Sequence, residues 1–118
     1  MSFHVIELKK GSIHIRKADY SDLKELVYIL VQLIPIGYGI TYGDIAKALK
    51  ISPRLVGKIL MENTKPIIIP CHRVIGIRSI GGYTVMGKRA DGLKKKLLSL
   101  ESKGDLKRFN LTGYLGIK

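Results

Sequence analysis

Tryptophan is absent from this chain, cysteine occurs once, and Asp and Glu together number only nine. A single thiol excludes an internal disulfide and points to a reducing, cytoplasmic setting. One cysteine with His4, His14 and His72 supplies no ligand cluster at zinc spacing, so neither a metal nor another cofactor is expected. Long apolar runs are missing as well. The best stretch, Leu26 to Ile34, is broken by Gln32 and falls far short of the roughly 20 residues that cross a bilayer. Glu7, Lys9 and Lys10 interrupt any N-terminal segment of the kind a signal peptide needs, so no membrane partner is expected. Amides are scarce too, two Asn and one Gln against seventeen Ile, an economy in heat-labile residues that thermophiles share.

What the chain does have is positive charge. Twenty-one Lys and Arg leave a formal net charge of +12, which favours a polyanionic partner because each phosphate contact releases counterions. Many of these cations fall late, at Lys88, Arg89, Lys94, Lys95, Lys96, Lys103, Lys107 and Arg108. A length of 118 residues fits one domain, 1–118, able to bury its own core.

That domain is read as a short β hairpin over about 1–18, a helical body over 20–103 and a tail over 104–118. In the hairpin Phe3, Val5, Ile13 and Ile15 alternate with polar neighbours around Lys9-Lys10-Gly11-Ser12. A first helix carries the stripe Leu23, Leu26, Val27, Leu30 and Ile34, and Gly37-Tyr38-Gly39 is expected to turn after it. Thr41 through Asp44 forms a capping box for a short helix. Ser52 caps a second, with Pro53 at its first position. Two short helices on a tight turn suit a helix-turn-helix and an ordinary helical hairpin equally. The chain from Pro66 to Pro70 is expected to run extended, and Ile75 to Gly82 to loop. A last helix over about Asp91 to Ser102 packs Leu93, Leu97, Leu98 and Leu100. The final ten residues carry no strong signal.

The lone cysteine stands in Pro70-Cys71-His72-Arg73-Val74, after the apolar Ile67-Ile68-Ile69. A thiol becomes a nucleophile where cationic neighbours favour the thiolate and solvent can reach it. His72 and Arg73 favour a reactive thiol, and a small core cysteine beside a solvated pair is the other reading.

Pro70-Cys71-His72-Arg73-Val74 resembles the active-site motif of the O6-alkylguanine-DNA alkyltransferases, and its flanks extend the likeness. Asn63, eight residues before the cysteine, matches the family's hinge asparagine, and Gly39-Ile40-Thr41-Tyr42-Gly43-Asp44-Ile45-Ala46 its tyrosine segment. Arg54 falls at the family's arginine finger. Gly82-Tyr83-Thr84 and Leu97-Leu98-Ser99-Leu100-Glu101 are similar to its substrate loop and to the helix ending in a catalytic glutamate. The match runs over roughly 20–103.

The resemblance implies an α+β, winged-helix-like domain that repairs double-stranded DNA containing alkylated guanine. It would act as a monomer and in a single turnover. Cys71 would take the alkyl group, His72 would draw the thiol proton through a water, and Glu101 would orient the imidazole. Arg54 would fill the gap left by a flipped nucleotide and Tyr42 would push on the phosphate and bind the flipped base. Cys71 and Val74 would offer carbonyls to the guanine amine, Tyr83 and Thr84 would line the pocket, Asn63 would brace the hinge, and Arg73 would join the DNA-facing set. Compared with the family, the chain has room only for a hairpin before the first helix. It is shorter between Tyr42 and Arg54, longer between Tyr83 and Glu101, and has Val85 in place of a usual glycine. An alkyltransferase-like lesion sensor without transfer and a helix-turn-helix regulator are the rival readings, with a cysteine hydrolase a distant third.

Overall fold

Asp19 begins the helical body. Its carboxylate accepts the Asp22 N–H while Asp22 accepts the Asp19 N–H, and this reciprocal cap fixes the start of α1 (Tyr20–Gln32). These geometries come from a computed structural model describing residues 3–77, 81–82, 84–85 and 88–116. Ahead of α1, β1 (His4–Lys9) and β2 (Ser12–Lys17) pair antiparallel.

Glycine 37 is where the sequence reading and the structure part. The turn expected over Gly37 to Gly39 closes at Gly37, and β3 (Tyr38–Thr41) starts at the next residue. Gly37 has φ +87°, and a Cβ there would lie 3.3 Å from the backbone carbonyl of Glu101. Glycine is thus required both for the backbone and for the close approach of a distant helix end.

The two capped helices form as expected. Thr41 Oγ1 accepts the Asp44 N–H to start α2 (Tyr42–Leu49), and Ser52 Oγ accepts the Leu55 N–H to start α3 (Pro53–Met61). Ile45, Ala46 and Leu49 of α2 meet Val56, Ile59 and Leu60 of α3, and both pack on Leu23, Val27, Leu30 and Val31 of α1.

After α3 the chain does not run extended. Ile69 N–H reaches back to Lys65 carbonyl at 2.9 Å, Ile67 takes φ +73°, and Cys71–Arg73 winds into a 3-10 turn. β4 (Val74–Ile75) then pairs parallel with β3. Short strands β5 (Thr84–Val85) and β6 (Lys88–Arg89) pair antiparallel before α4 (Asp91–Ser102).

The chain after α4 closes the sheet. β7 (Lys107–Arg108) pairs parallel with the other edge of β3, giving the order β4-β3-β7. Asn110 then caps α5 (Leu111–Leu115), whose Leu111 enters the core. Strands this short lack room for the alternation a sequence reading depends on. The mixture of helices and small sheets around a helix-turn-helix agrees with the α+β, winged-helix-like expectation. Among the described residues no helix is long and apolar enough to cross a membrane.

Candidate active site

The 3-10 turn sends Cys71 to a cavity and brings His72 and Arg73 together on Glu101. Cys71, only 5% exposed, lines a cavity of about 420 Å³ walled by Tyr42, Arg54, Gly57, Leu60, Met61 and Gly82 among others. His72 is fully buried and its Nε2 lies 2.9 Å from Glu101 Oε1. Arg73 does not line the cavity. Its Nε and Nη2 donate to the two Glu101 oxygens at 3.0 and 2.6 Å, and its Nη1 donates to the Ile34 carbonyl at 2.8 Å. Arg73, expected in the DNA-facing set, thus clamps both oxygens of Glu101.

This arrangement sets charge states. Arg73 first, then His72, holds the Glu101 carboxyl below its ordinary range against the opposing effect of burial. Burial pushes His72 below the usual imidazole value, with Glu101 opposing. An ionised Glu101 calls for the proton on Nε2, which assigns the basic lone pair of a neutral ring to Nδ1. The result is a neutral base oriented by a carboxylate that is itself oriented by a guanidinium.

Asn63 is buried and links the end of α3 to the turn carrying Cys71. Its Nδ2 donates to the Cys71 sulfur at 3.2 Å and to the Ile69 carbonyl at 3.1 Å, while its Oδ1 accepts the Lys65 N–H at 2.9 Å. A side chain chosen for a turn thus also aims a donor at the sulfur. Tyr42, at the start of α2, stands across the cavity, and burial raises its hydroxyl pKa, with Cys71 and Asp91 adding to the effect. Gly81, at φ +81°, leaves room for the Tyr42 ring, which would sit 3.3 Å from a Cβ there. Arg54, the second residue of α3, is exposed at the cavity wall.

The carbonyls of Cys71 and Val74 are already in use. Cys71 accepts the Val74 N–H, and Val74 accepts Lys94 Nζ at 2.7 Å. Each oxygen keeps a second lone pair for a ligand. Thr84 lies in β5 opposite Arg89, and Tyr83 lies outside the described residues. Among the described residues no cluster of His, Cys, Asp and Glu is placed to hold a metal.

Lys94 is the residue that sequence reasoning missed. Grouped by sequence only with the late cations, it is wholly buried and ties Val74 to Gly82. Its ammonium donates to Val74 and Gly82 carbonyls and, at 3.4 Å, to the Tyr42 hydroxyl, lying 5.6 Å from that ring's centre. Burial lowers its pKa to about 8, with Cys71 and Asp91 pulling the other way. The missed signal was spacing: Lys94, Leu98 and Glu101 fall at i, i+4 and i+7, on one helix face. Leu93 and Leu100, expected to pack, are 42% and 68% exposed.

Comparison with known proteins agrees with this geometry. The family described as 6-O-methylguanine DNA methyltransferase, DNA binding domain, matches residues 22–103. A methylated-DNA–protein-cysteine methyltransferase of Archaeoglobus fulgidus is 56% identical over 73 residues, covering 60% of this chain and 50% of that protein. Among solved structures, Mycobacterium tuberculosis OGT in complex with DNA superposes with TM-score 0.62 at 33% identity, covering 77% of this chain and 54% of that one. S. pombe Atl1, in complex with damaged DNA containing O6-carboxymethylguanine, gives TM-score 0.61 at 28% identity, covering 71% of this chain and 79% of that one. The chain spans about half the length of the curated relatives it matches. With the match extending from α1 to the end of α4 and the thiol, hinge and helix pair all inside it, this chain belongs to the 6-O-methylguanine DNA methyltransferase family through its DNA binding domain.

Proposed function

We propose that this protein repairs DNA directly, moving the alkyl group of O6-alkylguanine in duplex DNA onto the Cys71 sulfur. The observation that carries this reading is Cys71 opening on a cavity of about 420 Å³ while Asn63 donates to its sulfur and His72, Glu101 and Arg73 form a chain behind it. His72 takes the thiol proton through a water, Glu101 steadies the imidazolium, and Asn63 donates to the developing thiolate. Sulfur then attacks the alkyl carbon as the carbon–O6 bond breaks. The electron pair returns to the base, and a proton from solvent or the Tyr42 hydroxyl leaves plain guanine. No cofactor enters the balance.

Access requires the nucleotide to leave the stack, at a cost of a few kcal/mol. Arg54 at the start of α3 fills the vacated position, Tyr42 contacts the phosphate and the flipped base, and Thr84 with Tyr83 completes the pocket. The +12 charge supports duplex DNA as the partner, and the lone thiol supports action in a reducing cytoplasm. Each chain carries its own cavity, so the reacting unit is a monomer.

Transfer ends with a thioether, and no second thiol exists in the chain to reverse it. Mixed with duplex containing O6-methylguanine, the protein should gain the mass of one methyl group, restore guanine and stop after one equivalent. Cys71→Ser should bind the same duplex without transfer. The likeness to S. pombe Atl1, most of whose length is matched, favours lesion sensing as the second reading. Wild-type protein that binds the methylated duplex with no change in intact mass would establish that reading in place of repair.

A further inference from the structure

The β1–β2 hairpin is turned the wrong way for a ribbon in water. Alternation along the strands and the pairs Ile6–Ile15 and Leu8–Ile13 put these four side chains on one face. All four are open to solvent, at 72%, 69%, 75% and 73% exposure respectively. The opposite face carries Val5, Glu7 and Arg16, and that polar face is the one fastened to the body. Arg16 pairs with Glu7 beside it and donates to Asp22 of α1 at 2.6 Å and 3.0 Å. An antiparallel ribbon with one wet face ordinarily presents polar side chains to water, and two strands alone are only marginally stable. Here the Arg16 ion pairs face the body and the aliphatic residues face solvent.

We propose that this face is a self-association surface, joining two copies of the chain hairpin to hairpin. Each exposed aliphatic side chain offers roughly 100 Å², so the patch presents roughly 400 Å² of apolar surface, at the size that marks interaction sites. Two such faces stacked about a two-fold axis hide roughly 800 Å², and the rim brings the total near the ~1,000 Å² floor for a specific contact. Like charge is the obvious objection to pairing two strongly basic chains. The apolar face, however, carries one full cation, Lys17, at its far end. An antiparallel stack sets the two Lys17 ends about 20 Å apart, well beyond the ~8 Å screening length at physiological salt. Lys9 lies on the other face, paired with Glu7 at 3.1 Å. A nucleic acid has no use for such a face, and none of its four residues lines the Cys71 cavity.

Sedimentation equilibrium of the full chain tests this. The expected result is reversible dimerisation with a Kd of roughly 10–100 µM, suited to so small an interface. The double variant Ile6→Ser, Ile15→Ser should weaken it roughly 100-fold, while each chain still transfers one alkyl group. Leu8→Ser alone should weaken it less. Added sulfate should tighten the dimer while loosening DNA binding, because apolar contact and phosphate contact respond to salt in opposite directions. Wild-type protein that stays monomeric throughout, or a double variant that pairs as well as wild type, overturns the proposal. So does monomeric wild type that binds phosphatidylglycerol vesicles through these residues, since the face then belongs to a membrane.

Discussion

Replacing Lys94 by methionine gives the sharpest test of the site's construction. The ammonium is wholly buried, and its pKa falls from an ordinary 10.5 to about 8. The folded protein therefore holds this proton less tightly than the unfolded chain does. Below about pH 8 the charged group opposes folding. As pH rises toward 10.5, the unfolded chain binds more protons than the native state, so stability increases. A displacement of that size amounts to about 3 kcal/mol in all, of which about 2 kcal/mol is recovered between about pH 7.5 and 9.5. Tyr20 and Tyr28, both pushed up to about 12, and Tyr42, raised by burial, stay protonated in the native state over that window. Urea unfolding at three pH values in the window, for wild type and Lys94→Met, isolates the contribution as a difference of slopes. Wild type should gain about 2 kcal/mol relative to the variant across the window. Parallel profiles would mean that Lys94 keeps an ordinary pKa and reaches water, which would undo its role in tying Val74 to Gly82.

Two further substitutions separate chemistry from base flipping. Glu101→Gln keeps the shape but removes the charge that Arg73 and His72 share, so alkyl transfer followed by quenched-flow mass measurement should slow by roughly 10²-fold with DNA affinity held; an unchanged rate would remove Glu101 from the relay. Arg54→Ala should lower transfer from duplex DNA far more than transfer from free benzylguanine, which requires no flipping. Equal losses on the two substrates would place Arg54 in the pocket instead.

Local chemistry explains what was legible in the sequence. Thr41 and Ser52 cap their helices with hydroxyls only three residues from the N–H groups they accept, so the pattern is complete within four residues. The Cys71 motif was legible for the same reason. Lys94 was not, because a lysine beside Lys95 and Lys96 matches a solvated face in composition, and only the helix phase shared with Leu98 and Glu101 separates it. The Arg73 clamp was not legible because its partners, the Ile34 carbonyl and Glu101, lie far along the chain. The turn before Cys71 depends on Ile67 taking a left-handed conformation that an isoleucine seldom adopts, and no local preference announces it. Exposed aliphatic residues on the hairpin alternate like an ordinary half-buried strand, and sequence alone does not say which face the body covers.

The strand β3 is paired on both sides by segments that come much later, β4 at Val74 and β7 at Lys107. During synthesis, the helix pair α2–α3 is complete while this strand still has neither neighbour. A nascent chain halted before Lys107 would hold its helix-turn-helix but leave one edge of β3 bare, Leu111 missing from the core and Asp44 without Arg108. Pairings at such long sequence separation form slowly and leave sheet edges open meanwhile. The order of emergence therefore separates two events in the life of the molecule: the helix pair comes first, and the sheet that backs the thiol closes last.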